Sequence, residues 1–370
     1  MSFNKILLLI GCCFIISFDL LGNPVIWHWI SYSPSDSWQP GQEAESSLVW
    51  HDLELLHQFS FDGIVTYGTL DSLCRIPRLA RRFGFHNIIM GVWIDTNMMN
   101  NQQGIELAIG YHEDADAIYV GNEALFFNRV DTNYLKRAMD TIRFTTGKPV
   151  TTSEHWTMYF QPGYQSWLLQ NCDFLFPILN PTDNGIFDPD TGALWVKAQF
   201  DSLRAIAGDS VEIIVKEAGW PTYSDSFQQR TWANEGFQDR FFTGLDYFYL
   251  EDTLSYHCFE AFDGWWKNWG PTQRYWGLFD SERHPKLYAQ GLGIYESPSR
   301  YQNRLKSRIW SNGLKGILNN LSNEPIILFD INGRKVIDLK SDAIGMPVVP
   351  TGIYFIRFSD GVIYKTIITH

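Results

Sequence analysis

At 370 residues and 45% hydrophobic content, the chain is too apolar for a disordered polymer, and it has room for one large domain with or without a small one. A formal net charge of −12 argues against nucleic acid and anionic membrane surfaces, which need basic patches, and suits a neutral substrate. The 16% aromatic share, with 15 Trp, fits a glycan ligand whose C–H faces stack on indoles; large barrels also bury many aromatic rings.

In chain order, Lys5, the apolar stretch Ile6 to Ile16 and the polar break at Asn23 read as a secretory signal cleaved near Gly22. The stretch is short for a membrane-spanning helix. Leu9-Ile10-Gly11-Cys12 also has the form of a lipoprotein cleavage box, but the apolar Cys13-Phe14-Ile15-Ile16 that follows favours ordinary cleavage. Removing residues 1–22 leaves Cys74, Cys172 and Cys258, which cannot all pair, so no disulfide framework is expected. His28, His51, His57, His112, His155 and His257 are scattered, and no glycine-rich phosphate loop follows a strand. Neither a metal nor any other cofactor is expected.

Eight strand-like runs follow: Val25–Ile30, Gly63–Tyr67, Asn87–Ile94, Ala117–Val120, Pro149–Ser153, Phe174–Leu179, Val211–Lys216 and Ser255–Ala261. Helix-length segments lie between most of them: Ser47–Phe59, Leu73–Phe83, Gln102–His112, Thr132–Thr145, Leu194–Ala207 and Phe227–Phe241. Continuous apolar strands alternating with helices imply a parallel sheet buried on both faces. Eight such units in about 270 residues predict an α/β fold, a (β/α)8 TIM barrel. An open doubly wound sheet would show fewer strands over this length.

After Tyr295 the composition shifts. Residues 296–322 read as a polar, basic linker, which bounds the barrel domain at 23–295. Residues 323–370 read as a small C-terminal β-sandwich, with short apolar runs around the turns Asn332-Gly333 and Asp360-Gly361.

Two runs end abruptly in glutamate: Ile118-Tyr119-Val120-Gly121-Asn122-Glu123, and Ile213-Ile214-Val215-Lys216-Glu217 before Ala218-Gly219-Trp220-Pro221. In a barrel, side chains at the carboxyl ends of strands share one mouth. Two carboxyl groups there are the minimum equipment for cleaving a glycosidic bond. Other strand ends bring Tyr67, Trp93 and Asp95 to the mouth, with Glu154, His155 and Trp156 after strand five. Glu260 and Asp263 close strand eight, and Trp265, Trp266 and Lys267 lie just beyond.

With those pieces in place, residues 30 to 286 resemble glycoside hydrolase family 17, retaining (β/α)8 glycosidases of clan A. The matching motifs, in order, are Tyr32-Ser33-Pro34, Thr66-Tyr67-Gly68, Ile76-Pro77-Arg78, Gly121-Asn122-Glu123-Ala124, Glu217-Ala218-Gly219-Trp220-Pro221, Glu260-Ala261-Phe262-Asp263, Trp276-Gly277-Leu278-Phe279-Asp280 and His284-Pro285-Lys286. The resemblance implies a secreted retaining hydrolase of β-1,3-glucan, with Glu123 as general acid/base and Glu217 as nucleophile. Asn122 would hydrogen-bond the sugar 2-hydroxyl, and Tyr67 would hold the nucleophile. Glu154, Glu260 and Lys267 would tune charge or bind hydroxyls, or else be buried network members. Trp156, Trp220, Trp265 and Trp266 are candidate platforms, although Trp220 can equally be packing at the barrel mouth. Gly264 and Leu179-Asn180-Pro181 depart from the family pattern and leave chain length and linkage open. Alternative readings are a β-1,3-glucan transglucosylase and an inactive glycan-binding barrel; a lost catalytic glutamate would mark the latter.

The C-terminal segment resembles the sorting domain of the type IX secretion system, on Leu328-Phe329-Asp330-Ile331-Asn332-Gly333-Arg334, Pro350-Thr351-Gly352-Ile353-Tyr354 and the basic-apolar end Lys365-Thr366-Ile367-Ile368. This resemblance implies export to the medium or cell surface and the secretion machinery as a partner. A carbohydrate-binding module is the rival reading. The expected partners are therefore a β-glucan and that machinery, with no nucleic acid, and the expected state is a monomer.

Overall fold

A computed structural model describes residues 28–34, 45–252 and 254–292, together with four strands between 326 and 368. The chain divides into two compact units, Met1–Leu305 and Lys306–His370. The signal and linker segments lie outside the described residues.

The first unit is a closed parallel barrel. Its strands are β1 His28–Ser31, β2 Phe61–Val65, β3 Asn87–Val92, β4 Ala117–Asn122, β5 Val150–His155, β6 Phe176–Ile178, β7 Val215–Gly219 and β8 Tyr256–Phe259. They neighbour one another in sequence order, and β1 pairs with β8 to close the ring. The helices are α1 Ser46–Gln58, α2 Ile76–Arg82, α3 Met98–Gly110, α4 Thr132–Thr146, α5 Pro162–Asn171, α6 Pro189–Ala207, α7 Glu235–Asp252 and α8 Leu287–Leu292.

Local chemistry sets the helix boundaries. The Asn97 side chain accepts from the N–H groups of Met99 and Asn100, so α3 starts earlier than apolar periodicity suggests. Asp131 caps α4 in the same way, and Gly147 ends it in the left-handed region. The stretch expected as a helix over Phe227–Phe241 is a 3-10 turn at Phe227–Thr231 followed by α7, because the Asn234 carboxamide accepts from Phe237 N and restarts the helix. Helix α5 begins at Pro162, has little amphipathic patterning, and lies outside the helix-length segments named from the sequence. The run read as strand seven, Val211–Lys216, starts later and ends later. Ile213 makes only an isolated bridge to Leu175, and β7 runs through Glu217 to Gly219.

Two apolar layers hold the barrel. The larger lies between strands and helices and includes Leu53, Ile88, Ile118, Leu135, Val196, Val215 and Phe242. The smaller fills the barrel interior with Trp29, Val65, Ile89, Tyr119, Phe174, Phe176 and Ile214. Large rings face strands that have no side chain to place there. A Cβ on Gly63 would fall 2.1 Å from the Trp29 ring, and one on Gly91 would fall 2.6 Å from Tyr119.

In the second unit, β9 Ile326–Asp330, β10 Lys335–Leu339, β11 Gly352–Arg357 and β12 Ile363–Ile368 form one antiparallel sheet in the order β10-β9-β11-β12. The second sheet that a sandwich requires is not among the described residues.

Candidate active site

The site is built at the carboxyl ends of β4 and β7, where two backbone irregularities turn polar side chains inward. The β4–β5 register shifts between Tyr119 and Asn122. Gly121 at φ 85° and Glu123 at φ 52° both take the left-handed conformation. For Gly121 that conformation carries no Cβ penalty; for Glu123 it is unusual and is held by Glu123 N donating to Ser153 O at 2.7 Å. The β7–β8 register shifts between Val215 and Ala218. Across that irregularity Lys216 and Glu217, consecutive residues, are both buried and in mutual contact.

Glu217 accepts two hydrogen bonds on Oε1, from Tyr67 Oη at 2.8 Å and from Lys216 Nζ at 2.5 Å. Both partners donate to the same oxygen, so that atom acts as the acceptor and the other carboxyl oxygen is left to the cleft. Glu123 differs: burial, and then the charge of Glu217, push its carboxyl up to about 8. Lys216 and Arg129 oppose that rise without cancelling it. The two carboxyl groups are electrostatically coupled and differently placed, as an acid and a nucleophile must be.

Around this pair, several candidate residues are buried within the protein's own network. Glu154 is fully buried, and burial raises its carboxyl to about 7. Its oxygens accept from Leu125 N and Phe126 N, both at 3.1 Å, so it anchors the loop that carries Glu123. Glu260 and Lys267 are buried and ion-paired with each other, bracing the loop after β8. Of the two readings expected for Glu154 and Glu260, these contacts favour membership of a buried network, and Lys267 joins Glu260 in it. Of the two readings of Trp220, platform and packing, its burial favours packing. It is 0% exposed, donates to Trp232 O at 2.9 Å and packs on Phe241, so it is core and no platform. The motif pieces Thr222, Asp263 and Lys286 lock together, Lys286 Nζ lying 2.6 Å from Thr222 Oγ1 and 2.7 Å from Asp263 Oδ1.

Other candidates stay open to a ligand. Trp265 is 64% exposed. Trp266 is half-buried against Trp269. Trp156 is half-buried, edge-on to Trp195, and donates to Asn184 Oδ1 at 3.0 Å. Asn122 is buried, with Lys216 Nζ 2.6 Å from its Oδ1.

The sequence reading missed three groups. Lys216 was seen only as a strand residue, although a lysine inside an apolar run directly before a glutamate is itself a signal. Asp183, in the turn after β6, lies in the surroundings of Glu217. It is solvent-exposed at the rim, yet crowding by the protein and then the Glu217 charge push its carboxyl up to about 6. Arg129 lies over the rings of Trp93 and Phe127 and donates to Asn122 O at 3.1 Å. No group of three or more His, Cys, Asp or Glu side chains among the described residues could hold a metal ion.

Known proteins share the fold and the sequence of the barrel. Residues 30–277 match the BtgE/BtgC glycoside hydrolase domain. The probable glucan endo-1,3-beta-glucosidase btgC of Aspergillus fumigatus is 27% identical over 233 residues, 54% of this chain and 33% of that protein. The probable beta-glucosidase btgE of Aspergillus flavus is 26% identical over 264 residues, 68% of this chain and 42% of that protein. The chain thus spans well under two thirds of the curated relatives it matches. Among solved structures, the family 17 β-1,3-glucanosyltransferase of Rhizomucor miehei superposes with a TM-score of 0.60 at 18% identity, covering 70% of this chain and 95% of that one. An endo-laminarinase from Formosa Hel1_33_131 gives 0.61 at 18% identity, covering 86% and 92%. At these identities the structures speak for the fold, and the match over residues 30–277 speaks for the family: this chain belongs to the BtgE/BtgC glycoside hydrolase family.

Proposed function

We propose that the chain cleaves β-1,3-glucan with retention of configuration, using Glu217 as nucleophile and Glu123 as general acid/base. The observation that carries this reading is the contrast between the two carboxyl groups. One accepts from a phenol and an ammonium. The other is raised to about 8 by burial and by its neighbour's charge. In the first step Glu217 forms a bond to the anomeric carbon as the glycosidic C–O bond breaks, and Glu123 gives its proton to the departing oxygen. In the second, Glu123 takes a proton from water, whose oxygen attacks the anomeric carbon and releases Glu217. A sugar hydroxyl in place of that water would make the enzyme a transglucosylase, a second reading supported by the Rhizomucor fold relative.

Laminarin digestion followed by proton NMR and chromatography tests the proposal. The β-anomer is expected as the first product, with laminari-oligosaccharides released. First appearance of the α-anomer would refute retention. Products longer than the starting oligosaccharide would identify sugar as the acceptor. Binding of laminarin without any turnover would point to an inactive glycan-binding barrel.

The proposal extends to export. The N-terminal signal-like segment and the motifs of the second unit support passage to the medium or cell surface, and the antiparallel sheet β10-β9-β11-β12 is compatible with a sorting domain. In a host with a type IX apparatus, deleting residues 306–370 should leave the protein inside the cell envelope. Equal export with and without those residues would end this part of the proposal.

A further inference from the structure

Lys216 is a charged residue where folding alone asks for none. It follows Ile213-Ile214-Val215, is fully buried on β7, and its Nζ lies 3.7 Å from the centroid of the Tyr67 ring and 5.1 Å from that of Tyr119. Replacing a buried ion pair by well-packed apolar groups is often neutral or stabilising, so a stable fold does not by itself call for this pair. Burial pushes Lys216 below the usual lysine range, while Glu217 and Glu123 pull it back.

Its two polar contacts are specific. The ammonium has donors and no acceptor, so the Asn122 atom 2.6 Å away must be the carbonyl oxygen. That fixes which way the carboxamide points. The second contact, 2.5 Å to Glu217 Oε1, shares its oxygen with Tyr67. One cation thus sets two groups on opposite sides of the barrel, β4 and β7.

We propose that Lys216 is a positioning residue: by clamping Asn122 Oδ1 and Glu217 Oε1 together, it presents the Asn122 N–H to the sugar 2-hydroxyl and leaves Glu217 Oε2 to attack the anomeric carbon. The inference rests on the glycosidase reading and adds a residue to it. The contact to the 2-hydroxyl strengthens as the ring flattens in the transition state, so losing the clamp costs turnover more than binding.

The test compares Lys216→Met, Lys216→Gln and the parent enzyme on a dinitrophenyl β-glucan disaccharide and on its 2-deoxy counterpart. Thermal unfolding is followed alongside. Lys216→Met leaves the Glu217 carboxylate without its cationic partner, so its Tm is expected to fall, and rates are compared at a temperature where every variant is folded; there it should keep its KM and lose about 100-fold in kcat on the normal substrate, the size of effect seen when a preorganised donor is lost. On the 2-deoxy substrate the loss should shrink to about 10-fold, because the Asn122 contact is already missing there. Lys216→Gln keeps an N–H donor and should fall between Met and the parent. Equal losses on both substrates, or a loss seen in KM alone, would overturn the positioning role. So would parent-like kcat in both variants. A parent that turns over neither glycoside overturns the glycosidase reading and the Lys216 role with it, whereas an active parent matched by Lys216→Met overturns the Lys216 role alone.

Discussion

Glu217→Gln is expected to lower kcat on laminarin by about four orders of magnitude or more, while laminari-oligosaccharide affinity stays within a few-fold of the parent. The amide keeps an oxygen that Tyr67 Oη and Lys216 Nζ can still reach, so the site keeps its shape. What it lacks is a charge to form the covalent intermediate. Isothermal titration with laminaritriose and rate measurement on laminarin separate the two effects. Turnover close to the parent would reassign the nucleophile, and lost affinity with little lost rate would make Glu217 a binding residue.

Glu123→Ala should behave differently, and the difference identifies the acid. On laminarin, whose leaving oxygen needs a proton, the rate should fall by about 10³-fold or more. On a dinitrophenyl glycoside, whose leaving group needs none, formation of the intermediate should fall by less than about 10-fold. Azide should then speed its breakdown, because no general base is needed for an anion. The pH profile follows from the same carboxyl. Glu123 is raised to about 8, and the proposed mechanism uses it protonated, so kcat/KM of the parent should fall as pH rises through about 8. That limb should be absent from Glu123→Ala on the activated substrate. An unchanged basic limb would place the acid elsewhere.

How far the sequence led depended on what each signal measured. The barrel was legible because strands buried on both faces must be apolar throughout, and eight such runs left few alternatives. Glu123 and Glu217 were legible because a carboxylate closing an apolar strand is costly unless it is used. The tryptophans were not separable by type. Trp220 and Trp265 have the same side chain, and only the path of the chain decides that one packs on Phe241 while the other stands in solvent. Glu154 could be left only as sugar ligand or network member, because its two backbone partners, Leu125 and Phe126, come from another loop. Lys216 stood out in the sequence as a lysine within an apolar run, but its contact with Glu217 depends on the register shift in β7, which periodicity cannot reveal. Helix α7 was displaced by a single carboxamide at Asn234.

The ring-and-gap packing inside the barrel bears on how such a chain can change over generations. Trp29 occupies the volume that Gly63 leaves on the next strand, and Tyr119 does the same opposite Gly91. Neither member of a pair is free to drift alone. An alanine at Gly63 collides with the indole, while a small residue at position 29 opens a hole beside a glycine that cannot fill it. Each pair must therefore change in concert or not at all, and relatives that have exchanged the large and small partners would show the trade as linked substitutions on neighbouring strands beneath an unaltered catalytic mouth.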